Sequence, residues 1–196
     1  MPGTRQDLRL ALQRLAFGQA GFFTAAQAVE LGYTYQAQKY HVDHGNWLRV
    51  DRGLFRLPDW PGSTTDPYVR WTLWSGGRGV VSHESALSIH ELSDLDPRHV
   101  HLTVSPEFRA RDDAVVVHAG QLTDTDIENR EGYSVTTPLR ALIDVAAGDA
   151  AQEHIDSAVA AALERGLVTA RRLRAVADAR DERAALRIER ALGAGE

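Results

Sequence analysis

Cysteine is absent from the 196 residues, which excludes disulfides, thiolate nucleophiles and any zinc site built on sulfur, and fits a reducing cytosol. No stretch approaches the roughly 20 apolar residues that cross a bilayer, and the opening Met1-Pro2-Gly3-Thr4-Arg5 lacks the apolar core of a signal peptide. The expectation is a cytoplasmic chain with no membrane partner. A basic surplus is missing too: 22 Lys and Arg against 27 Asp and Glu leave −5, so any nucleic-acid contact must come from a local patch. Nor are there clustered acids with a lysine, as a metal-dependent nuclease needs. What is present is enough apolar material, 43 %, for a packed core in one large domain or two small ones.

The stretch from Phe22 to Leu57 organises the rest. Ala25 to Leu31 carries Ala25, Ala28, Val29 and Leu31 at helical spacing, with Thr24 at the N-cap and Gly32 as the left-handed stop. Thr34 caps a second helix from Tyr35 to His44, ended by Gly45, with Ala37, His41 and Val42 inward and Tyr35, Gln36, Lys39, Tyr40 and Asp43 outward. Two runs of aromatic and branched residues follow, Trp47-Leu48-Arg49-Val50 and Leu54-Phe55-Arg56-Leu57, joined by Asp51-Arg52-Gly53 as a hairpin. With a support helix at Gln6–Phe17, bearing Leu8, Leu12 and Leu15 inward and Arg5, Arg9 and Arg14 outward, this order reads as a winged helix-turn-helix.

Such a unit presents a recognition helix to the major groove and a basic wing to phosphates or the minor groove. The DNA-binding candidates are therefore Thr34, Tyr35, Gln36, Lys39 and Tyr40 on the helix, and Arg49, Arg52 and Arg56 on the wing. Up to Trp60 seven basic residues face five acidic ones, +2, and the remaining 15 basic and 22 acidic residues give −7. That asymmetry has the sign of a DNA-reading head on an acidic body.

The turn-rich Asp59 to Thr65 places the domain boundary near Ser63, giving a head of 1–62 and a body of 63–196. Asp66-Pro67 opens a helix with the acid as cap and Tyr68, Trp71 and Trp74 as a core stripe. Gly76-Gly77-Arg78-Gly79 turns into a Val80-Val81 strand, and Ser82 caps a helix with Ala86, Leu87, Ile89 and Leu92 inward. Ser82, His83, Glu84 and Ser85 invite a hydrolase reading, but neighbours on one helix diverge by about 100° and do not converge as a triad. His99 to Ser105 alternates as a half-buried strand, and Ala114 to His118 is expected to pair antiparallel with it. His99, His101 and His118 together would offer imidazoles to a metal, but a polar sheet face is preferred because no helical ligand pair or acidic triad joins them. Tyr133-Ser134-Val135 reads as a last strand, followed by a helix capped by Thr136 or Thr137 and opened by Pro138, with Asp144 as a solvated or capping acid. Gln152–Glu164, a helix capped by Thr169 with Arg171, Arg172 and Arg174 outward, and Glu182–Leu192 complete the chain. The fold class is thus α+β, a winged helix-turn-helix followed by a mixed domain with a small sheet and C-terminal helices.

Three segments in this order resemble the AbiEi-type antitoxins of type IV toxin-antitoxin and abortive-infection systems: Gly21-Phe22-Phe23-Thr24-Ala25-Ala26-Gln27-Ala28 through Gly45 to Leu57, Val81-Ser82-His83-Glu84-Ser85-Ala86-Leu87, and Val135-Thr136-Thr137-Pro138-Leu139-Arg140-Ala141-Leu142-Ile143-Asp144. The resemblance covers nearly the whole chain. It implies a head that represses its own operon by binding double-stranded promoter repeats; a homodimer on DNA, reading two half-sites, is one arrangement such repeats allow. It also implies a body that counters a nucleotidyltransferase toxin without a stable complex. Family members often carry an arginine-rich recognition helix, whereas this one has Tyr35, Gln36, Lys39 and Asp43, which shifts weight to the wing. Many continue into a nuclease-like extension, whereas this sequence stops at Glu196. The reading is a non-enzymatic regulator with no catalytic residue, metal or cofactor. The rivals are a winged helix that binds protein, and an enzyme using the histidines near His99 and His118.

Overall fold

A computed structural model describes residues 4–94 and 97–194. Met1 to Gly3, on which the signal-peptide reading rested, lie outside the described residues. The chain divides into two compact units, one comprising the residues up to Arg78 with Arg130–Tyr133, the other Gly79–Asn129 with Ser134 onward. The division falls at Arg78 and not near Ser63, because the helix after the turn-rich stretch packs with the head.

The first unit runs α1 (Arg5–Phe17), β1 (Phe22–Thr24), α2 (Ala25–Glu30), α3 (Tyr35–Asp43), β2 (Leu48–Asp51), β3 (Leu54–Arg56) and α4 (Asp66–Trp74). Its strands form an antiparallel sheet in the order β1-β3-β2, with Phe23 opposite Phe55 and Arg49 opposite Phe55 on the other side. This is the winged helix-turn-helix. Local chemistry explains its joints: Thr4 and Asp7 form a capping box on α1, Thr24 and Gln27 another on α2, and Thr34 accepts the Ala37 N–H on α3. Gly32, at φ +108, supplies the left-handed break between α2 and α3. The strand β1 escaped the sequence reading, since three residues are too few to show alternation.

At α4, Thr65 occupies the N-cap position without a side-chain cap, and Asp66, expected there, is the first helical residue. Its carboxylate is taken by Arg56 at 2.7 Å. Val69 and Trp71 are buried on α4, while Tyr68 and Trp74 are half-buried.

The second unit contains β4 (Val80–Val81), α5 (His83–Ile89), β5 (Val100–Val104), β6 (Val115–Ala119), a 3-10 turn at Asp124–Asp126, all but the end residue Arg130 of β7 (Ile127–Arg130), all but the first residue Tyr133 of β8 (Tyr133–Thr136), and then α6 (Pro138–Ala147), α7 (Gln152–Glu164), α8 (Ala170–Arg180) and α9 (Glu182–Gly193). The five strands order as β6-β5-β4-β8-β7. β5 and β6 pair in parallel, Val100 against Val115 through Val104 against Ala119, correcting the antiparallel expectation. Alternation decides which face a residue takes but not strand direction, and the connection from Ser105 to Ala114 is long enough to return along β5. Thr137, not Thr136, caps α6 by accepting the Arg140 N–H. Asp144 is not solvated: its carboxylate accepts from Arg140 Nε at 2.7 Å, and burial holds its pKa above the usual range.

The head's core is an aromatic knot of Phe23, Tyr33, Trp47 and Phe55 over Leu12, Ala16 and Ala28. Phe23 has no exposure and meets Trp47 edge-on at 4.8 Å. Phe23→Ala should cost about 3–5 kcal/mol of stability, read by denaturant unfolding of the full chain. A loss under about 1 kcal/mol would contradict this account of the core.

Candidate nucleic-acid interface

The second helix of the turn is held by its buried side and leaves the other side bare. Gln38, 3 % exposed, donates its side-chain amide to the carbonyls of Ala25 at 3.1 Å and Tyr33 at 3.3 Å, which ties α3 to the start of α2 and to the turn before it. His41 stacks flat on Trp47 with ring centres 4.8 Å apart, so the helix is fixed about its own axis. Sequence reasoning missed Gln38. Its only signal was a polar residue one turn before His41 and Val42 on the face that packs.

With that side fixed, Thr34, Tyr35, Gln36, Lys39 and Tyr40 are all exposed, Tyr35 at 72 % and Tyr40 at 55 %. Thr34's hydroxyl is engaged in the cap. Tyr40 stacks on His44 at 3.9 Å between ring centres, and Lys39 pairs with Asp43 at 2.6 Å in a solvent-exposed contact worth well under about 1 kcal/mol and readily exchanged for a phosphate.

The wing separates its three arginines. Arg49 is exposed, its guanidinium 5.8 Å from the Phe55 ring centre. Arg52 is exposed at the tip, where its N–H donates to Asp51 Oδ1 at 2.6 Å and Gly53 takes φ +73. Arg56 is different. It stands over the Phe22 ring at 4.5 Å, donates to the Pro61 carbonyl at 3.1 Å and pairs with Asp66 at 2.7 Å, with its side chain 18 % exposed. Alternation along β3 turned it to the half-buried side, so it is a structural residue and leaves the set of candidate DNA contacts. A second ion pair, Arg70 to Asp51 at 3.3 Å, anchors the wing's base to α4.

The histidines of the second unit gather otherwise than their spacing predicted. His101 and His118 meet across β5 and β6, Nδ1 to Nε2 at 3.2 Å, but His99 is exposed before the strand begins. The third imidazole is His83, stacked on His118 with ring centres 3.5 Å apart and planes within 12°. Parallel rings direct their in-plane lone pairs alongside one another and do not converge on one ion, and among the described residues no group of His, Cys, Asp or Glu has metal-holding geometry. Glu84 Oε2 lies 2.8 Å from His101 Nδ1.

Ser82 does not cap α5 with its side chain. Its Oγ accepts from Thr103 Oγ1 at 2.8 Å and meets His83 Nδ1 at 2.9 Å. That contact between adjacent residues is possible because Ser82 is extended and His83 takes φ +52, so neither follows the helical divergence assumed from the sequence. Ser82 itself has no exposure.

No protein-family model matches the chain, and neither does any curated protein. Among solved structures the chain is similar to the crystal structure of the RV2827C protein from Mycobacterium tuberculosis, with a TM-score of 0.61 and 16 % identity, covering 94 % of this chain and 75 % of that one. At that identity the likeness shows the α+β fold alone. No helix among the described residues is long and apolar enough to cross a membrane.

The half-buried imidazoles of His83 and His118 make the second unit sensitive to acid. Burial first, then neighbouring imidazoles, Arg140 and the opposing pull of Glu84, set His83 at about 3, and burial and His101 set His118 at about 4, both below the ordinary 6.5. Burial pushes Glu84 up, but His101, its own backbone N–H and His83 bring it to about 2. All three groups bind protons more readily when unfolded. Stability is therefore full above pH 6.5 and falls as pH drops toward 4 through the histidines, by at most about 1.4 kcal/mol per pH unit for each. His118→Gln should flatten the decline of the unfolding temperature between pH 6.5 and 4. Equal slopes in both proteins would remove His118 from the effect.

Proposed function

We propose that this chain is a sequence-selective DNA-binding regulator that reads double-stranded promoter repeats through α3 and the wing and serves as an antitoxin-like repressor of its own operon. The observation that carries the reading is the bare face of α3: Gln38 and His41 fix its buried side while Tyr35, Gln36, Lys39 and Tyr40 stay uncovered. Gln36 and Lys39 supply the donors and acceptors that base edges require, and Arg49 and Arg52 extend the positive surface along the wing. The antitoxin part rests on the resemblance. Two of the segments that carry it, around Ser82–Glu84 and Thr137–Asp144, supply buried polar groups of the second unit, which packing alone does not require. In this reading the protein acts in the cytoplasm, dimerises on DNA, needs no cofactor or metal, and opposes a nucleotidyltransferase toxin without a stable complex. A hydrolase role is disfavoured, because a serine without exposure meets no substrate.

Gln36→Ala with Lys39→Ala should weaken binding to the upstream promoter by about 1–3 kcal/mol with unchanged thermal stability, measured by gel shift at fixed salt. Undiminished affinity would exclude this face of α3.

The wing arginines separate two effects. Arg52→Ala should lower the slope of log K against log salt by about one and leave folding intact. Arg56→Ala should leave that slope alone and destabilise the fold by roughly 3 kcal/mol, since Asp66 loses its partner in a half-buried site. The reverse pattern would reinstate Arg56 as the phosphate contact.

A further inference from the structure

The first unit carries a groove of about 1620 Å³ between α1 and α3, far from filled by the residues around it. Its walls are aromatic, with Tyr33, Trp47 and Trp60 among the lining residues, and Arg5 and Arg9 stand on its α1 side. One wall is built into the backbone. Gly21, at φ +79, leaves the space in which Trp60 sits, and a Cβ there would come within 2.4 Å of the indole. Phe17 then meets Trp60 edge-on at 5.7 Å while remaining 67 % exposed. Leu10, 41 % exposed, continues the apolar surface into a neighbouring hollow that it shares with Phe17.

The charge around this surface is uncompensated. Arg5 and Arg9 lie one helical turn apart, and among the described residues neither has an ion pair or a hydrogen-bonding side-chain partner. Asp7 on the same helix is occupied by Thr4, at 2.7 Å to its N–H and 2.8 Å to its hydroxyl. Asp59 is the one acid on the lining. An apolar trough with free guanidiniums along one edge complements an amphipathic helix whose polar side is acidic.

We propose that this groove receives an acidic amphipathic helix of a partner protein. Its volume exceeds the roughly 300–1,000 Å³ of small-molecule pockets. A helix about 10 Å across and about 20 Å long has a volume of this order. A second copy fits poorly, because α1 against α1 would oppose Arg5, Arg9 and Arg14 to their own equivalents. A nucleic-acid strand fits poorly as well, because Phe17 and Leu10 would be buried against phosphates. Thr34 and Tyr40 border both this groove and the outer face of α3, whereas Arg5, Arg9 and Phe17, on which the inference rests, lie on α1 and outside the promoter-reading set.

The probe is a labelled peptide of about 16 residues, with leucine at helical spacing and glutamate elsewhere, titrated into the full chain by fluorescence anisotropy beside a counterpart with lysine for every glutamate. The glutamate peptide should bind at least roughly tenfold tighter. Arg5→Glu with Arg9→Glu, both at exposed positions, should reverse that preference, and Phe17→Ser should weaken both peptides, with the fold of each variant checked by circular dichroism. Failure of the glutamate peptide to bind, or a preference unchanged in the double variant, overturns the proposal. Self-association of the free chain that Phe17→Ser abolishes would assign the groove to a second copy. A single-stranded oligonucleotide that displaces the peptide with the same dependence on Arg5 and Arg9 would assign it to nucleic acid.

Discussion

The edge of Phe23 on Trp47 is the contact through which the head's parts hold one another. Phe23 stands on β1 and faces Phe55 of β3, and Trp47 enters from the loop before β2 and stacks on His41 of α3. A single cluster thus joins the sheet to the second helix of the turn. Edge-to-face rings at this spacing add about 0.5–1.5 kcal/mol beyond the area they bury, and they also set orientation. A smaller apolar group at Phe23 would leave β3 paired through its backbone but would let Trp47, and with it the axial rotation of α3, relax.

The second unit solves a different problem, that of charged groups under cover. Asp126 is 7 % exposed, yet it receives Arg180 at 2.8 Å, Arg140 at 3.3 Å and the Thr123 N–H and hydroxyl at 3.0 and 2.9 Å. Burial pushes its pKa up and those donors bring it below the ordinary carboxylate value. Asp144, which has only Arg140, stays raised. The contrast follows from the number of donors: two carboxylates share one arginine, and the additional hydrogen bonds favour the charged form of Asp126 more than that of Asp144. Arg187 does comparable work with neutral partners, donating to the carbonyls of Ala146, Gly148 and Ala150 and to Gln152, and so satisfies acceptors that the end of α6 leaves open.

Much of this was legible because helix starts are local. Thr24, Thr34, Thr169 and the Thr137-Pro138 pair stand where the structure uses them, and α7 keeps its expected bounds of Gln152–Glu164. The outer face of α3 was legible for the same reason, from the 3.6 period alone. What failed depended on partners distant in sequence. β1 is a strand only because β3 lies beside it, β6 is parallel only because of how its connection returns, and Arg56 is spoken for by Asp66. An arginine on a hairpin reads as a phosphate contact until the next helix places an acid against it.

Ser82 shows how a correct local reading gives an incorrect role. A serine before an apolar helical run is a strong helix start, and α5 does begin at His83, with the Ser82 carbonyl accepting the Ala86 N–H at 3.2 Å. The hydroxyl, however, has one proton and two lone pairs, and here Thr103 and His83 engage it. Keeping it in that network requires His83 at φ +52, a conformation uncommon for residues other than glycine. The stacked His118 and the contact with Ser82 hold the ring in place against that cost. Thr103 and His118 come from β5 and β6, whose parallel pairing nothing in the local pattern announces. The serine could therefore be read as the start of a helix, while its place in a buried polar network depended on strands that meet only in the folded sheet.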